Sequence, residues 1–331
     1  MSKTNWNGYN LFKLKNAGGV SVTISDLGAT IVDFLVPDKS GNKVNIVLGY
    51  DTPDKYLNGG SFIGGVVGLW GNRIDNGKYE LDGTEYQLEQ NEHSNHLHGA
   101  SCNLHKVQWS LVEHTNELVH LTTEVCEGVA GYPANVCVSV KYELTPESEL
   151  CITYQAHSDS ECPINLTQHS YFNLDGHNGQ ILDHELLVNA DSYWAMDENQ
   201  IPTVKTLVDG TALDFREQKK VGDNIGHLSL DTTKGYDHCF VLNKSVTGYS
   251  GRIHSEKSGI TLDFYTDQTG VQVYTGNNLD SSVDGFGKHC GICFETQVFP
   301  NQVNMKGQRE SDSFVSPSNP YVRETVIEIN Y

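Results

Sequence analysis

Fourteen histidines are spread over 331 residues, and three of them fall in one short polar run, Asn91-Glu-His93-Ser-Asn95-His96-Leu97-His98-Gly99. Three chemistries fit that run. Its imidazoles are solvated loop groups; or His96 and His98 open a metal site completed by a distant carboxylate or histidine; or one of them serves catalysis or substrate binding. His-x-His alone is a weak metal signal, and the usual zinc spacings are missing. His169 lies in the run NLTQHSYFNL (165–174), where these residues alone favour a satisfied structural imidazole. Gly68-Leu-Trp-Gly-Asn72-Arg73-Ile places one of five arginines beside two glycines that allow close approach of a ligand. Taken alone, Arg73 reads as an ion pair with one of the 42 acidic residues. Gly235-Tyr-Asp237-His238 reads as an acidic turn. In a strand, Cys293, Glu295 and Gln297 share one face while Ile292, Phe294 and Thr296 share the other. A carboxylate on such a rigid element, partly desolvated between a thiol and an amide, suits a general base. Cys290-x-x-Cys293 has no second pair and no βαβ context, so zinc and redox readings are both weak.

The elements that must position these groups are strands. Val136, Val138, Val140, Tyr142 and Leu144 alternate with Cys137, Ser139, Lys141 and Glu143; after Thr145-Pro-Glu-Ser148, Leu150, Ile152, Tyr154 and Ala156 alternate in turn. That spacing predicts an antiparallel hairpin with one buried face. Asp82-Gly83 between 78–81 and 84–88 predicts a second hairpin with a type I′ turn. Further strands are expected at 21–25, 29–36, 43–48, 108–113, 117–125, 185–189, 260–266, 271–274, 291–297 and 324–329. Helical periodicity is nearly absent, with a turn or two expected at most over 216–227. About a dozen or more short strands, not alternating with helices, predict an all-β fold, a large antiparallel β-sandwich with few or no helices. No linker or internal repeat divides the chain, so residues 1–331 are expected to form a single domain.

Lys+Arg total 22 against 42 Asp+Glu, a net charge of −20, which excludes routine nucleic-acid binding because phosphates would be repelled. The longest apolar stretch, nine residues from Phe62 to Trp70, is far short of the ~18 needed for a membrane helix. With no apolar leader at the N-terminus, the chain is expected to be cytoplasmic, with its eight cysteines mostly reduced.

Read together and in order, GNRI (71–74), NHLHG (95–99), NLTQHSYFNL (165–174), IPTVKTLVDGTALDFR (201–216), GYDHCF (235–240), GVQVYTGN (270–277), CFETQ (293–297) and YVRET (321–325) resemble the aldose 1-epimerase, or galactose mutarotase, family. The resemblance implies the galactose-mutarotase supersandwich and a reaction that interconverts the α and β anomers of a free hexose such as galactose or glucose. It implies His98, His169 and Glu295 as catalytic residues, with Asn72, Arg73, Asp237 and Gln272 binding sugar. No cofactor and no metal are called for, and the partner is a small sugar, with neither nucleic acid nor membrane. The chemistry needs one base, one acid and hydrogen bonds to the remaining hydroxyls. Glu295 is expected as base, His169 as acid toward the ring oxygen, and His98 as a donor nearby. The pH profile is then a bell, its acidic limb set by Glu295 and its basic limb by His169. Two rivals share the pattern: a hexose 6-phosphate epimerase, and a sugar-binding sensor without turnover. The family's arginine three residues before its Asn-Arg pair is Leu69 here, which implies a lost guanidinium and counts against a phosphate. The segment 301–318 also departs from the family's proline-rich pattern.

Overall fold

The computed structural model describes residues 3–177, 179–227, 230, 232–305 and 313–331. Alternating sequence becomes alternating burial in Val136–Leu144, whose Val136, Val138, Val140, Tyr142 and Leu144 all lie inside. This strand pairs with Glu149–Ser158 in the antiparallel register Val140 to Tyr154 and Leu144 to Leu150, so both buried rows face one side. At Asp82-Gly83 both residues are left-handed, with φ of 50° and 78°, as the type I′ turn requires. The turn joins Lys78–Leu81 to Thr84–Gln87.

Three sheets carry the architecture of the described residues. From edge to edge the nine-stranded sheet runs Ser110–His114, Leu118–Val125, Val136–Leu144, Glu149–Ser158, Tyr321–Asn330, Thr261–Thr266, Tyr249–His254, Glu185–Val188 and Lys219–Lys220. A five-stranded sheet takes Lys3–Trp6, Tyr9–Lys15, Ser21–Ser25, Ile31–Pro37 and Lys43–Asn45 in chain order. A second takes Pro202–Leu207, Ser192–Met196, Asp237–Val241, Gly270–Tyr274 and Cys293–Gln297. Phe12 and Phe34 of the first small sheet, Val138 and Tyr154 of the large one, and Val271 and Val273 of the second small sheet all belong to one buried cluster. The Tyr142 hydroxyl donates to the Ala29 carbonyl at 2.6 Å, which ties the large sheet to the N-terminal one. The fold is thus the all-β antiparallel sandwich read from the sequence.

Three local differences have physical causes. Asn7 and Gly8 are both left-handed, with φ of 50° and 96°. They make a hairpin of Lys3–Trp6 and Tyr9–Lys15 that the alternation did not disclose, although Asn-Gly is a strong hairpin signal. One short helix, Pro53–Asn58, has Thr52 at its N-cap position, Pro53 in its first turn and Asp54 following, a start signal overlooked in a β-rich chain. The expected helical turns over 216–227 become the strand Lys219–Lys220 and a 3₁₀ turn, Val221–Asp223. Sheet-edge bonding wins there, because the Val221 and Gly222 N–H groups donate to the His184 and Leu182 carbonyls. No helix of the described residues is long and apolar enough to cross a membrane.

Candidate active site

The site lies where short ladders meet the second five-stranded sheet. Arg73–Ile74 pairs with His96–Leu97, and Thr167–Gln168 pairs with Val66–Val67. These two-residue ladders hold the Asn72-Arg73 pair, the histidine run and His169 against the long strand edge that carries Glu295.

Asn72 is left-handed, at φ 63°, a conformation that asparagine tolerates. Its side-chain oxygen accepts the Arg73 N–H at 2.9 Å, and its own backbone N–H donates to His98 Nδ1 at 3.1 Å. The His98 N–H returns a bond to the Asn72 carbonyl at 3.2 Å. With Nδ1 accepting, the hydrogen of neutral His98 sits on Nε2. Gly99, at φ 78°, follows because a Cβ there would overlap the Gly68 carbonyl.

His169 exchanges backbone bonds with Gly65 and Gly64. Its ring packs among Tyr171, His98 and Phe62, with centroids 5.1, 5.4 and 5.6 Å away. His169 Nε2 stands 3.8 Å from Glu295 Oε1, and Nδ1 stands 3.6 Å from Cys293 Sγ. Glu295 faces Gln272 across the strand pair and is 2% exposed. Its second oxygen has no hydrogen-bond partner among the described residues. Gln272 donates to Asp237 Oδ1 at 2.7 Å. Arg73 grips Glu92 with two bonds, at 2.7 and 2.5 Å.

These groups and their neighbours line a cavity of about 220 Å³, smaller than the ~300–1,000 Å³ of drug-sized ligand sites. Of the residues named from sequence, Asn72, Arg73, His98, His169, Asp237 and Glu295 line it directly, and Gln272 stands behind Asp237. A larger cleft of about 680 Å³ around Lys244, Gln268 and Phe299 contains none of them. Sequence reasoning missed Phe62, Glu92, Gln200 and Asn278 in the cavity wall. Glu92 sits inside the histidine run and was visible there as a carboxylate; Gln200 and Phe62 reach the site through turns at φ 60° and 54°, for which no pattern signals.

Burial reverses the expected order of protonation. Burial first, then the neighbouring Asp237, pushes the Glu295 carboxyl up to about 8, with Arg73 opposing. Burial pulls His169 down to about 4 and His98 well below the usual histidine range. These directions run against the expected assignment of an acidic limb to Glu295 and a basic limb to His169, because burial favours the neutral form of each group.

Two other expectations are corrected. Leu69 is fully buried in the main core and does not line the cavity, so the missing arginine says nothing about a phosphate. His96 turns away from His98 and bonds the Glu89 carbonyl at 2.7 Å and the Tyr132 hydroxyl at 2.8 Å, which removes the pairing considered for a metal. All eight cysteines are free, and Cys290 and Cys293 join no metal-sized cluster of the described residues. The one such cluster is His98, His169 and Glu295, with donor atoms within 4.8 Å of one another. Its His169–Glu295 edge of 3.8 Å is wider than the ~3.3 Å expected for ligands ~2.0 Å from tetrahedral zinc. Of the divergent stretch 301–318, residues 306–312 lie outside the described residues.

Comparison with known proteins agrees with this picture. The chain is 38% identical to human galactose mutarotase over 291 residues, covering 86% of this chain and 84% of that one. It is 32% identical to the aldose 1-epimerase of Escherichia coli over 322 residues, covering 95% and 93%. The solved aldose epimerase homologue from C. elegans superposes with a TM-score of 0.90 at 27% identity, over 98% of this chain and 99% of that one. Galactose 1-epimerase from Lactobacillus acidophilus gives 0.87 at 28%, over 100% and 97%. The fold and these relatives place the chain among the isomerases that interconvert the anomers of aldoses. The chain belongs to the aldose 1-epimerase family, whose profile matches residues 10–325.

Proposed function

We propose that the protein interconverts the α and β anomers of a free hexose, galactose or glucose, by general acid/base opening and closing of the ring. The observation that carries this is the buried pair itself: Glu295 Oε1 and His169 Nε2, 3.8 Å apart, both bordering the cavity. Glu295 takes the proton of the C1 hydroxyl while His169 Nε2 gives one to the ring oxygen. The bond from C1 to the ring oxygen breaks as the C1 carbonyl forms. Rotation about C1–C2 presents the other carbonyl face, and closure reverses both proton transfers. Between the two steps the pair carries one exchangeable proton, and the reactive form has it on His169 with Glu295 ionised. His98 supports the same region as a donor, because Asn72 occupies its Nδ1 and leaves Nε2–H toward the cavity. Arg73, Asn72 and Asp237 offer donors and acceptors for the remaining hydroxyls, and Gln272 braces Asp237.

Among the described residues lining the cavity, Arg73 is the one lysine or arginine, and it is already committed to Glu92. That favours a neutral sugar over a hexose 6-phosphate, whose phosphate needs a cationic clamp. Polarimetry of freshly dissolved α-D-galactose, α-D-glucose and glucose 6-phosphate tests the reading. Mutarotation of the two free sugars well above the buffer rate is expected. Sugar binding with no acceleration would instead make the protein a sensor.

A further inference from the structure

The two imidazoles of the site are held by opposite kinds of partner. His98 Nδ1 receives a backbone N–H from Asn72 at 3.1 Å. His169 Nδ1 meets the Cys293 sulfur at 3.6 Å. A neutral imidazole carries one hydrogen, and the partner of one nitrogen decides which of the two bears it.

We infer that Cys293 is a positioning residue whose sulfur accepts the Nδ1–H of His169, leaving Nε2 bare toward Glu295 and the sugar. The inference deepens the acid/base reading above and rests on it. If the pair passes one proton between a carboxyl oxygen and Nε2, then Nε2 must be free of hydrogen whenever Glu295 is protonated. The ring hydrogen then has to stay on Nδ1 throughout the cycle, and a buried N–H there needs an acceptor. Cys293 is fully buried. It shares a strand face with Glu295, two residues on, while Phe294 between them points away to stack on Phe264 and Phe172. One five-residue strand, Cys293–Gln297, thereby delivers both the base and the group that orients the acid.

The residue type matters. Burial first, then the Glu295 and Asp237 carboxyls, pushes the Cys293 thiol up, so it stays neutral. A neutral sulfur is a weak acceptor. It turns the ring without holding it as a cation, as a carboxylate or thiolate in that place would. His169 thus remains able to give its Nε2 proton away. His98, with the hydrogen on Nε2, is a fixed donor, whereas His169 is the exchanging one.

The test joins a spectroscopic and a kinetic measurement on the full chain. In wild-type protein labelled with ¹⁵N-histidine, His169 is expected to show a protonated Nδ1 and an unprotonated Nε2 near pH 6–7, and His98 the reverse. A His169 protonated on Nε2 in that spectrum overturns the inference, whatever the variants do. Cys293→Ala removes the sulfur that orients the Nδ1–H, so the ring should turn over to the Nε2–H form. The expected kinetic result is a roughly tenfold or greater fall in kcat with little change in KM. Cys293→Ser keeps an acceptor and should restore most of the activity. Wild-type kcat in a folded Cys293→Ala protein would overturn the inference. Should that variant fail to fold, the wild-type spectrum decides alone. The tautomer is read without turnover, so an inactive wild type would defeat the proposed reaction and leave this assignment separately measurable.

Discussion

The strands Val136–Leu144 and Cys293–Gln297 are both antiparallel, the first inside its sheet and the second at the edge of its own, and they are built on different rules. In the first, burial alternates and every second side chain faces outward or is half-buried. In the second, all five residues are buried, three of them polar: Glu295, Thr296 and Gln297. The first strand keeps its charged groups at the surface and pairs its buried Tyr142 hydroxyl with the Ala29 carbonyl. In the second, Glu295 Oε2 and both polar atoms of the Gln297 side chain lack hydrogen-bond partners among the described residues. Burying such groups without partners costs stability. The difference separates a frame, where every local preference agrees with the fold, from a site, where polar groups are kept dry so that their proton affinities shift.

If that division is right, damage to the two strands has opposite signatures. Glu295→Gln is expected to lower kcat by about 10²–10⁴-fold, the usual range for a lost general base. It should not lower the melting temperature at neutral pH. The folded carboxyl is raised from its ordinary value to about 8, so the stability tied to its proton is complete in acid and is lost as pH rises through 8. The Gln variant keeps a neutral side chain at every pH, and its melting temperature relative to wild type should rise between about pH 5 and 8. A variant that melts early and turns over normally would make Glu295 a brace.

The converse substitution is Ile152→Ala in Glu149–Ser158, the frame strand that pairs with Val136–Leu144. Ile152 is 1% exposed in the main core, and truncation there typically costs about 2–5 kcal/mol. Denaturant unfolding should show that loss, with kcat per folded molecule unchanged. A matching loss of kcat would mean that frame and site are not separable.

Arg73→Ala should act between these extremes. It removes a guanidinium from the cavity wall and leaves Glu92 unpaired, so kcat/KM on galactose should fall about 10–100-fold, mostly through KM. Unchanged kinetics would place the sugar on another face of the cavity. The smallest effect is expected from chelation. Exhaustive EDTA treatment should leave activity intact, since ring opening asks only for the acid and the base of the pair. Activity lost to EDTA and recovered with zinc would recast His98, His169 and Glu295 as ligands.

The same contrast explains what could be read from the sequence. Val136–Leu144 and its partner announce themselves because period-2 alternation is what a half-buried strand requires. Cys293–Gln297 shows no such pattern, being buried on both faces, and Glu295 was reached as a lone carboxylate between a thiol and an amide. The seven cavity and bracing residues were legible because they sit in family-like blocks. Gln200 and Phe62 were not, because left-handed turns bring them in without a periodic trace, and Glu92 was in view as a carboxylate while its pairing with Arg73 was not. Least visible was the proton inventory. The residue types promised an acid and a base, but which of Glu295 and His169 holds the proton depends on desolvation, a property of the folded surroundings.

That proton is the centre of the account, and the pH dependence of kcat/KM for wild-type protein on α-D-galactose, corrected for the buffer rate, measures it most directly. The reactive pair carries one proton. A second proton enters as pH falls through about 4, the range of His169, and removes the base. The single proton is lost as pH rises through about 8, the range of Glu295, and removes the acid. The expected profile is a bell with a broad plateau between those limits. Activity that held level or kept climbing from pH 8 to about 10 would show that an ionised Glu295 beside an unprotonated His169 suffices. That result would contradict the one-proton pair on which the proposed reaction rests.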